Sequence, residues 1–237
     1  LPVVDVDRLL LAIDTSTEQA GLALYDGAWL SELSWSAGRN QTATLLRQLD
    51  HLLQINRLAA RQLKAVAVTL GPGSFNGLRV GMSVAKGLCY GLGIPLVGIM
   101  TLDVLAYPHT VRRRPIRAFV PAGRGRAVYA DYHHRGGQWV RESVLKTVRG
   151  DQLAEGLTET SVLAGALDAE LAERLAGHPR VILPPPSWRL LRPGWLAELA
   201  FQRWQSGAVD RLETLEPVYV HAGVAEVAAS VELPESR

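Results

Sequence analysis

The chain has one cysteine, few aromatics and no long apolar run. Cys89 alone cannot close an intramolecular disulfide, and aromatic residues make up only 6% of the 237 positions. A lone thiol, with no charged n-region followed by a small-residue cleavage site, predicts a reducing, cytosolic compartment. The chain opens at Leu1 rather than at a methionine, as a trimmed or partial N-terminus would. The longest uncharged stretch, Gly87 to Leu102, falls short of the roughly 20 residues of a membrane helix and is broken by Gly91, Gly93 and Pro95. Catalytic signatures are missing too. The six histidines (His51, His109, His133, His134, His178, His221) include no pair at i, i+3 or i, i+4. His133 and His134 are adjacent in an extended segment and point to opposite faces, so they cannot chelate one ion together. There is no Cys-x-x-Cys and no Gly-x-Ser-x-Gly elbow. These absences predict a protein with no metal centre and no catalytic constellation of its own.

What is present describes an ordinary globule, with 48% hydrophobic and 20% charged residues. The length lies between one and two domains at roughly 150 residues each, and a chain of this size needs no disulfide or metal staple to fold. A formal net charge of +2 conceals an uneven distribution. Residues 1–108 carry 8 basic and 8 acidic side chains, residues 109–150 carry 10 and 2, and residues 151–237 carry 7 and 13. The basic middle therefore meets either nucleic acid or the chain's own acidic C-terminal third.

Apolar patterning predicts strands at Arg8 to Ile13, Gln19 to Tyr25 and Ala28 to Trp35, the last two joined at Asp26-Gly27. Leucines 45, 46, 49, 52 and 53 recur at helical spacing and predict an amphipathic helix over 42–55. A strand over Lys64 to Leu70, a helix ending near Leu92 and a strand over Leu96 to Ile99 follow. A three-stranded meander followed by alternating helices and strands argues for an α/β layer with a mixed sheet. The second half repeats the theme more faintly, with helices near Asp151 to Leu157 and Asp168 to Leu175 and a last helix at 194–205. The expected organisation is a lobe at 1–107, a second at 108–223 with helix 194–205 packing back on the first, and a flexible tail at 224–237.

Four segments are candidates for chemistry. Asp14-Thr15-Ser16-Thr17 ends a buried strand; Asp14 and Thr15 either organise a phosphate group or satisfy turn amides. Gly71-Pro-Gly-Ser-Phe-Asn-Gly77 joins a strand to a helix N-terminus, where Gly73 and Ser74 either receive an anion or belong to a tight connection with Ser74 or Asn76 capping the helix. The helix that follows is apolar almost all round, and Gly77, Gly81 and Ala85 recur every four residues. Either both its sides are covered within the chain, or its second side docks a partner helix. Finally, Arg112, Arg113 and Arg114, with Arg117, Arg124 and Arg126, form the densest positive run, but without the interleaved aromatics that readers of single-stranded nucleic acid use.

Leu11-Ala-Ile-Asp-Thr-Ser-Thr17, Gly71-Pro-Gly-Ser-Phe-Asn-Gly-Leu-Arg-Val-Gly81, Ala85-Lys-Gly87, Gly93-Ile-Pro-Leu-Val-Gly98, Thr101-Leu-Asp103 and Glu216-Pro-Val-Tyr219 together resemble the bacterial TsaB (YeaZ) family. The resemblance runs from about residue 8 to 220. It implies two ribonuclease-H-like (actin-like ATPase) lobes and a degenerate paralogue of the catalytic TsaD subunit, in which the metal-binding histidines and the nucleotide site stay with TsaD. Ser16 stands where the superfamily's phosphate loop carries a glycine. Asn76 replaces a threonine, Gln41 a histidine, and Ala122 and Ala127 the usual carboxylates of the second lobe.

The resemblance implies a non-catalytic accessory subunit that binds and activates TsaD in making threonylcarbamoyladenosine in tRNA. TsaE would join as the ATPase partner, with ATP and metal held at the partner subunits and none by this chain alone. The expected partner interface comprises Leu45, Leu49, Leu52, Gly77, Val80, Gly81, Val84, Ala85 and Leu88, which would also serve a homodimer when TsaD is absent. Arg112, Arg113 and Arg114 are the candidate tRNA contact within the complex. The alternative is an enzyme in its own right, either a nucleotide-binding hydrolase using Asp14 and the 71–77 loop or a glycoprotease-like peptidase.

Overall fold

The computed structural model describes residues 4–38, 41–142, 144–220, 224–226 and 232–233. In chain order the elements are β1 (Leu10–Asp14), β2 (Gln19–Tyr25), β3 (Leu30–Ser36), α1 (Gln41–Ile55), β4 (Ala65–Gly71), α2 (Phe75–Leu92), β5 (Leu96–Met100) and α3 (Thr101–Ala106). The second half continues with β6 (Ile116–Pro121), β7 (Arg126–Arg135), β8 (Gln138–Arg141), β9 (Val144–Arg149), β10 (Ser161–Ala164), α4 (Ala169–Ala176), β11 (Val181–Ile182) and α5 (Pro193–Gln205). It ends with β12 (Val224–Glu226) and β13 (Glu232–Leu233). The chain divides into two compact units. One holds Leu1–Thr101 and Arg192–Val218, the other Leu102–Leu191 and Tyr219–Arg237. Most of the predicted tail at 224–237 lies outside the described residues; its two described pieces are strands, β12 on β9 and β13 on β8.

The first unit is built on a five-stranded sheet in the order β3-β2-β1-β4-β5. The meander pairs antiparallel, and β4 and β5 join it in parallel, as a mixed sheet requires. Every residue of β1 is buried, because both faces of the sheet are covered. Leu9, Leu11 and Ile13 point to one face, where they meet Leu22, Leu24, the α1 leucines, Met82, Ala85 and Cys89. The other face takes α5, whose Pro193 packs so closely on β2 at Gly21 that a Cβ there would come within 2.9 Å of the proline ring. α5 is tied down by Arg203, which donates to the carbonyl of Gly98 (2.6 Å) and grips Asp210 with both terminal nitrogens (2.9 and 2.8 Å).

α2 starts where Ser74 accepts the Gly77 amide at 3.2 Å, and it stops at Gly93, which takes the left-handed conformation (φ 65°) that an L side chain resists. Cys89 sits inside this helix, its thiol aimed at the Pro95 carbonyl (3.4 Å) and pushed by burial up to about 12, so it is packing rather than nucleophile.

The second unit has an eight-stranded sheet in which β11-β10-β6-β7-β8-β13 run in order and β9 pairs with β7 and β12. Phe119, Ala127, Tyr129, Leu153, Leu163 and Leu175 form its core beneath α4. Two ion pairs are built into it. Arg117 holds Asp131 in a fork (2.7 and 2.9 Å), and Asp103 accepts from Tyr132 Oη (2.7 Å) and Arg141 (3.0 Å) in a fully buried triad. The predicted helix over Asp151 to Leu157 is instead one 3₁₀ turn, Gly150–Gln152, followed by turns. The reason is local: the carbonyls of Leu153 and Glu155 turn inward to Arg117 (2.9 and 2.8 Å) and are lost to a helical ladder.

Candidate functional site

The end of β1 and the 71–77 loop come together, as a phosphate site would require, but they are bonded to each other. Asp14 is buried, and its Oδ1 accepts from Ser16 N (3.0 Å), Ser16 Oγ (2.7 Å) and Thr69 Oγ1 (2.8 Å). Burial pushes the carboxyl of Asp14 above the usual range, partly offset by those donors. Ser74 donates its amide to the Ser16 carbonyl at 2.7 Å. Gly73 lies against the same carbonyl, so a Cβ there would clash with backbone. Thr15 donates Oγ1 to the Gly77 carbonyl (2.7 Å), and Gly81 leaves just the room that this hydroxyl needs. The glycines thus admit the chain's own backbone and hydroxyls. The cradle does not fit a triphosphate, because Ser16 and the 71–77 loop close on each other across the approach and the amides of Ser16, Ser74 and Gly77 are already bonded within the chain.

The two helices on the outer side of this arrangement divide the expected interface residues. Leu45, Leu49, Leu52, Gly77, Gly81 and Ala85 are buried in the unit's own core or against β1 and β4, and have no surface left to offer. Their inward turn follows from the sheet, which needs one continuous apolar face above it. Val80, Val84 and Leu88, in one row at i, i+4 and i+8, are half-buried on the flank of α2. Beyond them the helix carries little bulk: a Cβ at Gly87 or Gly91 would meet nothing within 4 Å. Four large apolar side chains are exposed on the same two helices: Leu46, which the leucine spacing grouped with the buried face, and Ile55 on α1, and Phe75 and Tyr90 on α2, with Tyr90 85% exposed. The available signal was Leu45-Leu46, since adjacent helical residues are 100° apart and cannot both face one sheet.

In the basic middle, Arg112, Arg113 and Arg114 are exposed, whereas Arg117 is turned inward to Asp131 and stacks on Tyr129, its guanidinium carbon 4.2 Å from the ring centre. Among the described residues no group of His, Cys, Asp and Glu is arranged to hold a metal ion, and no helix is long and apolar enough to cross a membrane. Ala127, one of the two positions lacking a carboxylate, lies in the core of the second unit, where a charge would have been buried.

Residues 35–179 match the family model described as TsaD, tRNA N6-adenosine threonylcarbamoyltransferase. The sequence is 26% identical over 222 residues to the tRNA threonylcarbamoyladenosine biosynthesis protein TsaB of Escherichia coli (strain K12), covering 91% of this chain and 96% of that one. It is 30% identical over 207 residues to the tRNA N6-adenosine threonylcarbamoyltransferase of Moorella thermoacetica, covering 83% of this chain and 57% of that protein. Among solved structures, YeaZ from Pseudomonas aeruginosa superposes with a TM-score of 0.74 at 25% identity, covering 90% of this chain and 99% of that one.

Proposed function

Because the chain belongs to the TsaD family of tRNA N6-adenosine threonylcarbamoyltransferases, and aligns along most of its length with TsaB proteins, we infer that it is a non-catalytic accessory subunit. It binds and activates a TsaD-type transferase in the synthesis of threonylcarbamoyladenosine in tRNAs that read codons beginning with A. One observation carries this reading: the Ser74 amide and the Ser16 carbonyl are bonded to each other at 2.7 Å, so the two loops of the cradle satisfy one another. A chain whose cradle loops satisfy one another keeps the superfamily fold and leaves the chemistry to a partner.

The docking surface supported by the side chains is the flank of α2 around Val80, Val84 and Leu88, extended by Leu46 and Tyr90. Gly87 and Gly91 let a partner helix approach closely there, and α1 completes the face. The transferase is the favoured occupant, a second copy of the chain takes the same face in its absence, and a TsaE-type ATPase joins the assembly. ATP and metal belong to those partners, and the compartment is the cytosol.

Reconstitution tests this. Purified chain, a TsaD-type transferase and a TsaE-type ATPase are combined with unmodified tRNA and a threonylcarbamoyl donor. Modification should depend on adding this chain, and the chain should co-elute with the transferase. Modification at full rate without it sinks the proposal. ATP turnover by the isolated chain, abolished in Asp14→Ala, would establish the hydrolase instead.

A further inference from the structure

The arginine run at 112–114 has no aromatic near it in sequence, yet the second unit supplies one from 76 residues downstream. Two short 3₁₀ turns, Tyr107–Arg112 and Pro186–Trp188, pack together. The contact is made by His109, fully buried, whose Nε2 lies 3.1 Å from the Trp188 carbonyl and whose ring is 6.2 Å from the indole. Burial pushes His109 down to about 4, so it is a neutral ring that donates from Nε2.

This fastening holds Trp188 at the surface, 43% exposed, against the exposed Arg112, which Arg113 and Arg114, also exposed, follow in the chain. Arg112 reaches over the indole with its guanidinium carbon 5.8 Å from the ring centre, near the outer limit of about 6 Å for such a contact. It therefore loses little by swinging away. Arg112 and Arg114 have no carboxylate partner among the described residues. Arg189, the residue after Trp188, is buried with its Nε and one terminal nitrogen unpartnered. Leu190, 38% exposed, widens the apolar part.

The composition of the patch identifies the ligand class. An acidic peptide would use the guanidinium groups and leave the indole idle. A single-stranded nucleic acid uses both, stacking a base on the ring and placing phosphates on the forks of the arginines. We propose that Trp188, with Arg112, Arg113 and Arg114, forms a platform for an unpaired stretch of the tRNA substrate. One base stacks on the indole and displaces Arg112 onto a neighbouring phosphate, while the buried charge of the adjacent Arg189 adds to the local potential. This assignment rests on the accessory-subunit reading, which supplies the RNA.

The test is fluorescence anisotropy of a labelled, unmodified tRNA transcript with the full chain bound to a TsaD-type transferase, over a salt series. Trp188→Ala should weaken binding about tenfold or more, and Trp188→Phe should restore most of it, because the ring face is what stacks. Arg112→Gln and Arg114→Gln should each lower the slope of log affinity against log salt by about one. Affinity within about twofold of the parent in Trp188→Ala overturns the platform, as does equal competition by poly-glutamate of matched charge. If Trp188→Ala does not fold by circular dichroism, the two arginine variants decide, and unchanged salt slopes overturn the proposal. If no complex with the transferase forms, the accessory-subunit reading fails, and the same series on the chain alone still decides whether the platform exists.

Discussion

In an Asp14→Ala variant, three donors lose their acceptor at once: the Ser16 amide, the Ser16 hydroxyl and the Thr69 hydroxyl, at 3.0, 2.7 and 2.8 Å. A buried donor left unpaired costs about 1–3 kcal/mol, but hydroxyls rotate to other acceptors and an amide cannot. Removing a carboxyl whose charged form burial disfavours returns part of the loss. The net expectation is about 2–3 kcal/mol, a fall in Tm of roughly 6–12 °C for a unit of this size. Differential scanning calorimetry reads the stability, and tRNA modification assayed well below the variant's Tm reads the function. Stimulation of the transferase should survive in Asp14→Ala at that temperature. Loss of stimulation with an unchanged Tm would refute the reasoning, because it would make Asp14 a chemical participant rather than a strut. Asp14→Asn keeps one acceptor oxygen and should lose less. It should also flatten the pH dependence. A folded-state pKa raised above 3.8 means that the native protein holds this proton more tightly than the unfolded chain. Stability from Asp14 is then greatest below that value and falls as pH climbs through the raised pKa, a fall the amide cannot show.

Val84→Glu places a charge on the α2 flank and should abolish co-elution with the transferase while lowering stability by about 1 kcal/mol; Leu45→Ala should cost about 2–5 kcal/mol and leave co-elution intact below its Tm. In the buried triad, Arg141→Met strands Asp103 without its cation and should cost about 3–5 kcal/mol in urea denaturation, part of it recovered when Asp103→Leu is added. His109 titrates near 6.5 when unfolded and near 4 when folded, because burial and Arg112 oppose its protonation. Its contribution to stability is complete above 6.5 and lost as pH falls toward 4, so His109→Gln should show a shallower acid loss in chemical denaturation across that window.

Local chemistry made much of the fold legible. The apolar run at Leu9–Ile13 and the leucine spacing of α1 each report a period that only one element satisfies, and both elements form within a residue or two of the expected bounds. The start of α2 was readable as capped by Ser74 or Asn76, of which Ser74 is the cap, and its end as a stop at Gly93-Ile94-Pro95, because such residues act on neighbours within four positions. The helix expected at Asp151 to Leu157 failed because its carbonyls are claimed by Arg117, which lies 36 residues away from Leu153 in sequence and is invisible to a local period. Arg117 itself was grouped with the surface arginines for want of knowing that β6 pairs with β7 and sets Arg117 opposite Asp131.

The candidate site shows the same division more sharply. Asp14, Thr15, Gly73 and Ser74 were identifiable as a phosphate-loop pattern, but a pattern cannot say whether the donors face a ligand or one another. Periodicity marked α2 as apolar on nearly every side without deciding which side the sheet would claim. Gly81 and Ala85 went inward, and Val80, Val84 and Leu88 were left on the flank.

Three things were determined by the sequence alone: family membership, the α/β alternation, and the lack of any histidine or cysteine pair spaced to hold a metal. These depend on residue identity and on spacings of a few positions. Two others were decided only by tertiary structure, namely that the cradle is closed by its own backbone and that Trp188 stands beside Arg112. Both join segments more than 50 residues apart, Ser16 with Ser74 and His109 with Trp188. Such contacts exist only once the sheets and helices have buried their apolar faces and fixed where the loops between them meet.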